Sequence, residues 1–475
     1  MPFAGSSVEV VAPAALNAAE RWPLILTEFE HDWGARAIVL PDGAQSGSAD
    51  SAQPTAQLLF FPLAEIAARE RLAPLPREER DDARGGGGRL PWSDIFTGLR
   101  NNVCSRGGDP LVIPISAPVL VCYYRRDLLE QAGRAPPASW PEYQHLLDTL
   151  SEWAPGLTAV EPWGPEYRAT MYLARAVGAA RHPGQYSLYF DIESGEPLID
   201  TPGFQRGLEQ TVQAIQRMPP DVLSYSPADC RRELLASRAA IGIAFETGPA
   251  AADFPLGPGG WQDTDTDASD PGGSAGAAGR PRGFERAEAI AIGIVPLPGA
   301  IEVYNHTTGA WERPRGESLN RVPLAGFAGL CAGVSADGPP EARRAACKLL
   351  ARLTVDEFAS AFPPEITTLC RGSQTDTPSR WAGEMLTGEE ADAYVAAVSE
   401  SLRSPLLVAE IPVVGRERFR QALTTGLDSA LSGQQSPADA LAATADRWRE
   451  ITAEIGIDAV RNSYRGSLGL PPVRP

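Results

Sequence analysis

Pro136 and Pro137 interrupt the most informative stretch of the chain, PVLVCYYRRDLLEQAGRAPPASWPEY from Pro118 to Tyr143. Adjacent prolines deny helix to the residues before them, so the stretch has to divide into elements with fixed ends. Upstream, Val119 to Tyr124 is an apolar and aromatic run rich in β-formers and too short for a helix core, which predicts a buried strand. Arg126 to Ala132 are helix formers, Leu128 and Leu129 supply the apolar pair, and Gly133 stops the turn. Downstream, Ser139 is an N-cap with Glu142 three residues on, ahead of a helix carrying Tyr143, Leu146, Leu147 and Leu150. Strand, short helix, extended spacer and capped helix form one α/β unit.

The rest of the chain repeats that vocabulary. Val8 to Val11 reads as a strand, followed by a helix with Trp22, Ile25, Leu26, Phe29 and Trp33 at helical spacing, a strand over Ala37 to Leu40, and a third over Gln57 to Phe61. Helices are expected over Leu63 to Leu72, Trp92 to Leu99 and Pro340 to Leu353, and strands over Leu111 to Ile115, Ala240 to Phe245 and Ala289 to Val295. Trp163-Gly164-Pro165 opens a helix with Tyr167, Met171 and Ala174 on one face. Ser226 with Asp229, Thr387 with Glu390 and Ser436 with Asp439 are further helix starts. From Thr387 to about Gly466 the pattern is helical, broken at Pro405 and Pro412. Pro296 to Arg321 reads as a polar loop carrying Trp311. Asp81 to Gly88 and Pro255 to Gly283 are too poor in apolar residues to pack.

At 475 residues the chain can fill two or three domains, and 43% apolar with 21% charged residues provides a sizeable core. A net charge of −18, with scattered arginines and Lys348 as the single lysine, argues against a nucleic-acid surface. No apolar run is long enough to span a membrane, and MPFAGSSVEVVAP lacks the pattern of an export signal. Six cysteines (104, 122, 230, 331, 347 and 370) show no zinc spacing, and their pairing is left open. His31, His145, His182 and His306 lie in unrelated contexts, and no P-loop or dinucleotide fingerprint is present. Asp263, Asp265 and Asp267 share spacing with a calcium loop, but Ala268 and Ser274 stand where that loop needs Gly and Glu, which favours a solvated acidic loop.

Six segments in the same order resemble the extracellular solute-binding proteins of ABC importers, family 1: QLLFFPLAEIAARERLAPLP at 57, LVIPI at 111, the stretch from Pro118, DIESGEPLIDTPGF at 191, LLASRAAIGIAFE at 234 and VPLAGFAGLCAGV at 322. Arg125-Arg126 departs from the family's Asn-Lys. The resemblance implies an α/β, two-lobe periplasmic-binding-protein type II fold with a helical C-terminal region. It divides the chain into an N-terminal lobe of 1–118 plus 322–372 and a C-terminal lobe of 119–321 plus 373–475. It puts the ligand in the cleft between them, beside Pro13, Phe61, Ser116, Trp163, Phe245, Glu246, Phe327, Gly329 and Arg371, with Trp163 and Glu246 foremost. The implied protein is a monomer that binds a small carbohydrate, closes around it and delivers it to an ABC permease. It has no cofactor, no metal and no catalytic residues. It works in the periplasm or outside the cell, its export signal or lipid anchor having been removed. The alternatives are a binder of a polyamine or metal chelate, a carbohydrate-active enzyme on similar lobes, and a scaffold or sensor with no ligand.

Overall fold

The computed structural model describes residues 2–12, 22–40, 55–69, 71–80, 88–246, 286–287, 290–314, 319–326, 328–354, 367–382 and 386–473. Two separate sheets organise them. The first has the order β2-β1-β3-β9-β4, where β1 is Ser7–Val11, β2 Arg36–Leu40, β3 Thr55–Pro62, β4 Val112–Pro114 and β9 Leu330–Val334. β1 runs parallel to β2 and β3, and β9 is antiparallel to β3 and β4, so the late strand is inserted between two early ones. Helices α1 (Trp22–Trp33) and α2 (Thr97–Asn102) belong to the same early part of the chain.

The second sheet has the order β8-β5-β7-β6, built from β5 (Val121–Arg125), β6 (Thr158–Val160), β7 (Ala239–Ala244) and β8 (Ile292–Pro296). Its helices are α3 (Arg126–Gln131), α4 (Trp140–Asp148), α5 (Arg168–Ala180), α6 (Pro202–Ile215) and α7 (Pro227–Leu235). The sequence signals set their ends. Ser139 accepts from the Glu142 N–H at 3.4 Å while the Glu142 carboxylate accepts from the Ser139 N–H at 3.1 Å, and Ser226 with Asp229 repeats the arrangement.

α8 (Pro340–Thr354) returns to the first sheet, packing on β1, β3 and β9. The chain closes with α9 (Gly388–Arg403), α10 (Arg416–Leu431), α11 (Pro437–Ile455) and α12 (Ile457–Ser467). These helices link the halves: α9 packs on both β8 and α2, and the Asn102 amide donates to the carbonyls of Pro405 at 3.0 Å and Leu407 at 2.8 Å. Phe190 stacks on Trp448 at 5.2 Å and meets Phe419 and Tyr464 edge-on, anchoring α10, α11 and α12 to the second half. The buried apolar residues form one continuous cluster through the crossing at 115–121, although the sheets are separate.

Several expectations need correction. The helix expected over Leu63 to Leu72 is a 3₁₀ turn over Leu63–Ala68, and helix replaces the Trp92 to Leu99 expectation only at Thr97–Asn102. The supposed polar loop after Pro296 contains a hairpin, Val303–Asn305 paired with Ala310–Glu312, whose Trp311 ring lies under Arg206 at 3.2 Å. All six cysteines are free and buried. The acidic segment with Asp263, Asp265 and Asp267 lies outside the described residues, as does Asp81 to Gly87.

Candidate functional site

Parallel pairing of β6 with β7 aligns Val160 with Gly242, so Glu161–Trp163 and Phe245–Glu246 leave the same edge of the second sheet. At the first exit Glu161 is fully buried and ion-paired with Arg175 of α5 at 2.6 Å, and its other oxygen accepts from the Trp163 indole N–H at 3.0 Å. The Arg175 guanidinium lies over the Trp140 ring at 4.4 Å and near Tyr143 at 5.6 Å. Trp163 is therefore locked in position by a buried charge pair and is itself 0% exposed. At the second exit the Glu246 carboxylate accepts from the Tyr123 hydroxyl at 2.7 Å and faces Arg231 at 3.4 Å. Burial pushes the Glu246 carboxyl above the usual range, with Arg231 and Tyr123 only partly offsetting it. The backbone of Glu246 is held by Tyr394 of α9, whose hydroxyl accepts from its N–H at 3.0 Å.

A third buried acid lies on the segment before α10. Glu410 accepts from Arg416 at 2.7 Å, from Arg420 at 3.1 Å and from the Thr170 hydroxyl of α5 at 2.7 Å. It ties the C-terminal helices to the second half.

The other sequence-derived positions divide. Ser116 and Gly329 meet where the chain crosses between sheets: the Leu330 N–H donates to the Ser116 hydroxyl at 2.8 Å. Gly329 has φ +101°, and a Cβ there would collide with the Ser116 carbonyl, so glycine is required by the close approach itself. Phe61, at the end of β3, is buried beneath Arg69 at 4.9 Å. Arg371 sits apart from Glu246, its guanidinium donating to the Thr354 carbonyl and its backbone bridging to Ile95. Pro13 and Phe327 lie outside the described residues.

The structure thus brings Ser116 to Gly329 and puts Trp163 and Phe245–Glu246 at one sheet edge, while Arg371 serves the first half. Sequence reading passed over Glu161, Arg175, Arg231 and Glu410. Arg175 did carry a signal, being the only charge in the otherwise apolar run from Met171 to Gly178. Among the described residues no group of histidine, cysteine and acidic side chains has metal-binding geometry, and no helix is long and apolar enough to cross a membrane.

Two sizeable cavities are lined by described residues. A groove of about 810 Å³ runs between α10 and α11, and a cavity of about 400 Å³ lies between α2 with the loop after it and the C-terminal segments. Neither is lined by Trp163 or Glu246.

No family profile and no curated protein matches the sequence. Solved structures do match the fold. Maltose-bound MalE3 of T. maritima superposes with a TM-score of 0.55 at 16% identity, covering 94% of this chain and 100% of that one. An ABC transporter solute-binding protein from Agrobacterium radiobacter K84, in complex with ribitol, gives a TM-score of 0.54 at 16% identity, covering 95% of this chain and 100% of that one. Two sheets, a late strand returned to the first of them and a helical C-terminal region are, over nearly the full length, the two-lobe periplasmic-binding-protein fold that this chain shares with those two solved structures.

Proposed function

We propose that this protein is the solute-binding component of an ABC importer, acting outside the cytoplasm as a monomer that closes on a sugar or polyol and presents it to a membrane permease. The lobes are 1–118 with 322–372, and 119–321 with 373–475. The observation that supports this most is full-length likeness to two proteins solved with a sugar and a polyol, one of them described as an ABC transporter solute-binding protein. In this reading the edge carrying Trp163, Phe245 and Glu246, buried in this structure, offers aromatic faces for a sugar's apolar side and a carboxylate for its hydroxyls once the lobes part. Phe61, Ser116, Gly329 and Arg371, with Pro13 and Phe327, form the first-lobe wall in this reading. In this reading the lobes open and close about the Ser116–Gly329 crossing. The protein makes and breaks no bond; its work is the difference in affinity between open and closed forms.

A thermal-shift screen tests the reading with maltose, ribitol, other mono- and disaccharides, a polyamine and a metal chelate. A cognate ligand at a hundredfold excess over its Kd stabilises the folded state by about 2.7 kcal/mol, which raises the melting temperature visibly. A response confined to the polyamine or chelate would move the ligand class. Silence from every solute would favour a scaffold or sensor role.

A further inference from the structure

The 400 Å³ cavity lies across the two halves of the molecule, with Asn101 and Ser105 on the first-lobe side and Arg181, Tyr186, Tyr189 and Tyr464 on the other. Its volume is that of a small-solute site. In a chain with 60 acidic and 42 basic residues, no acidic side chain among the described residues lines it. Glu410, next to the lining residue Ala409, turns its carboxylate to Arg416, Arg420 and Thr170 instead.

Arg181 is the cavity's cation. It is half-buried, and among the described residues its guanidinium makes one hydrogen bond, to the His182 carbonyl at 2.7 Å, and no ion pair. Burial lowers its pKa, and the titratable groups that oppose the shift are the tyrosines 464 and 186 rather than a carboxylate. A partly desolvated guanidinium with unused donors favours an anion brought from outside, and a carboxylate matches its fork geometry. One further feature concerns the neutral part of such a ligand. Tyr186 presents an exposed ring, at 55%, in the same lining.

We propose that this cavity binds a small hydroxylated carboxylate, a sugar acid in chemical class, with the carboxylate on Arg181 and the hydroxylated body against the exposed ring of Tyr186. The site is separate from the edge bearing Trp163 and Glu246 and stands whether or not that edge takes a sugar. Because its walls come from both halves, its occupancy couples to their relative position.

Calorimetry on the full chain tests it, with sodium glucuronate and gluconate as probes, glucose and ribitol as uncharged counterparts, and inorganic phosphate and sulfate as simple anions. The expected result is saturable binding of a sugar acid. Arg181→Gln weakens it roughly tenfold or more, the effect of losing a charged hydrogen bond, and Tyr186→Ala weakens it about threefold. Tyr186 is exposed, so its variant keeps the test alive if Arg181→Gln fails to fold. The proposal is overturned if neither acid binds at millimolar concentration, if both variants bind like the parent, or if phosphate or sulfate binds while the acids stay silent.

Discussion

The ends of β6 and β7 leave one edge of the second sheet, and each carries an acid beside an arginine, yet the charge is met differently. Glu161 and Arg175 are 0% and 1% exposed at the side chain, 2.6 Å apart, with the indole of Trp163 and the ring of Trp140 filling in around them. Glu246 faces Arg231 across 3.4 Å, and burial outweighs its partners enough to raise its pKa. A tight, fully buried pair is part of the frame. A looser pair, one of whose members can take up a proton, tolerates rearrangement when something binds. The comparison makes Glu161 the residue that fixes Trp163 in place and Glu246 the one able to respond to a ligand.

The strongest way to break that distinction is to remove each cation. Arg175→Met leaves a fully buried carboxylate without its partner and is expected to lower unfolding free energy by about 3–5 kcal/mol in denaturant melts. Arg231→Met should cost only about 1–2 kcal/mol at pH 7, because the longer 3.4 Å contact gives up less when it is lost. Equal losses would erase the contrast.

Glu390 supplies a reference of the opposite kind. Burial alone would raise its carboxyl, but Arg286 and the N–H groups of Thr387 and Ile292 outweigh this and hold it at about 2. Its stabilisation is complete above the unfolded value near 4.3 and is lost as pH falls from there toward 2, roughly 2–3 kcal/mol in all. Glu390→Gln should remove that acid-side loss from pH-dependent unfolding curves. Glu246 carries the other sign: a raised folded pKa means the native state holds the proton longer than the unfolded chain, so stability falls as pH rises above the ordinary carboxylate range. Glu246→Gln should abolish that decline and change stability at pH 5 by less than about 1 kcal/mol.

Between these effects in size lies the crossing on which both strand ends depend. Gly329→Ala forces a Cβ toward the Ser116 carbonyl at φ +101° and is expected to cost about 1–3 kcal/mol. A neutral result would mean that the junction yields, and the lobes would then lack a fixed hinge.

Much of the fold was legible because local chemistry and tertiary structure agree. Pro136-Pro137 and the Ser139–Glu142 box delimit α4 where the sequence puts it, and Thr387 with Glu390 opens α9. The misses have physical causes. Leu63–Ala68 has a helical composition, but the chain past β3 makes only a 3₁₀ turn, with α12 packed on it, and Ala310–Glu312 is a strand because Tyr304 and Arg206 hold Trp311. The site was less legible than the fold. Aromatic and acidic residues at strand ends stand out in sequence, whereas Arg231 matters only through its tertiary contact with Glu246, and Arg181 for having no acid beside it among the described residues.

Small-angle X-ray scattering, with and without a saturating sugar or polyol that has raised the melting temperature, tests the two-lobe account most directly. The account predicts that the radius of gyration contracts on binding as the halves close about the Ser116–Gly329 crossing. Calorimetrically proven binding with an unchanged radius would contradict it.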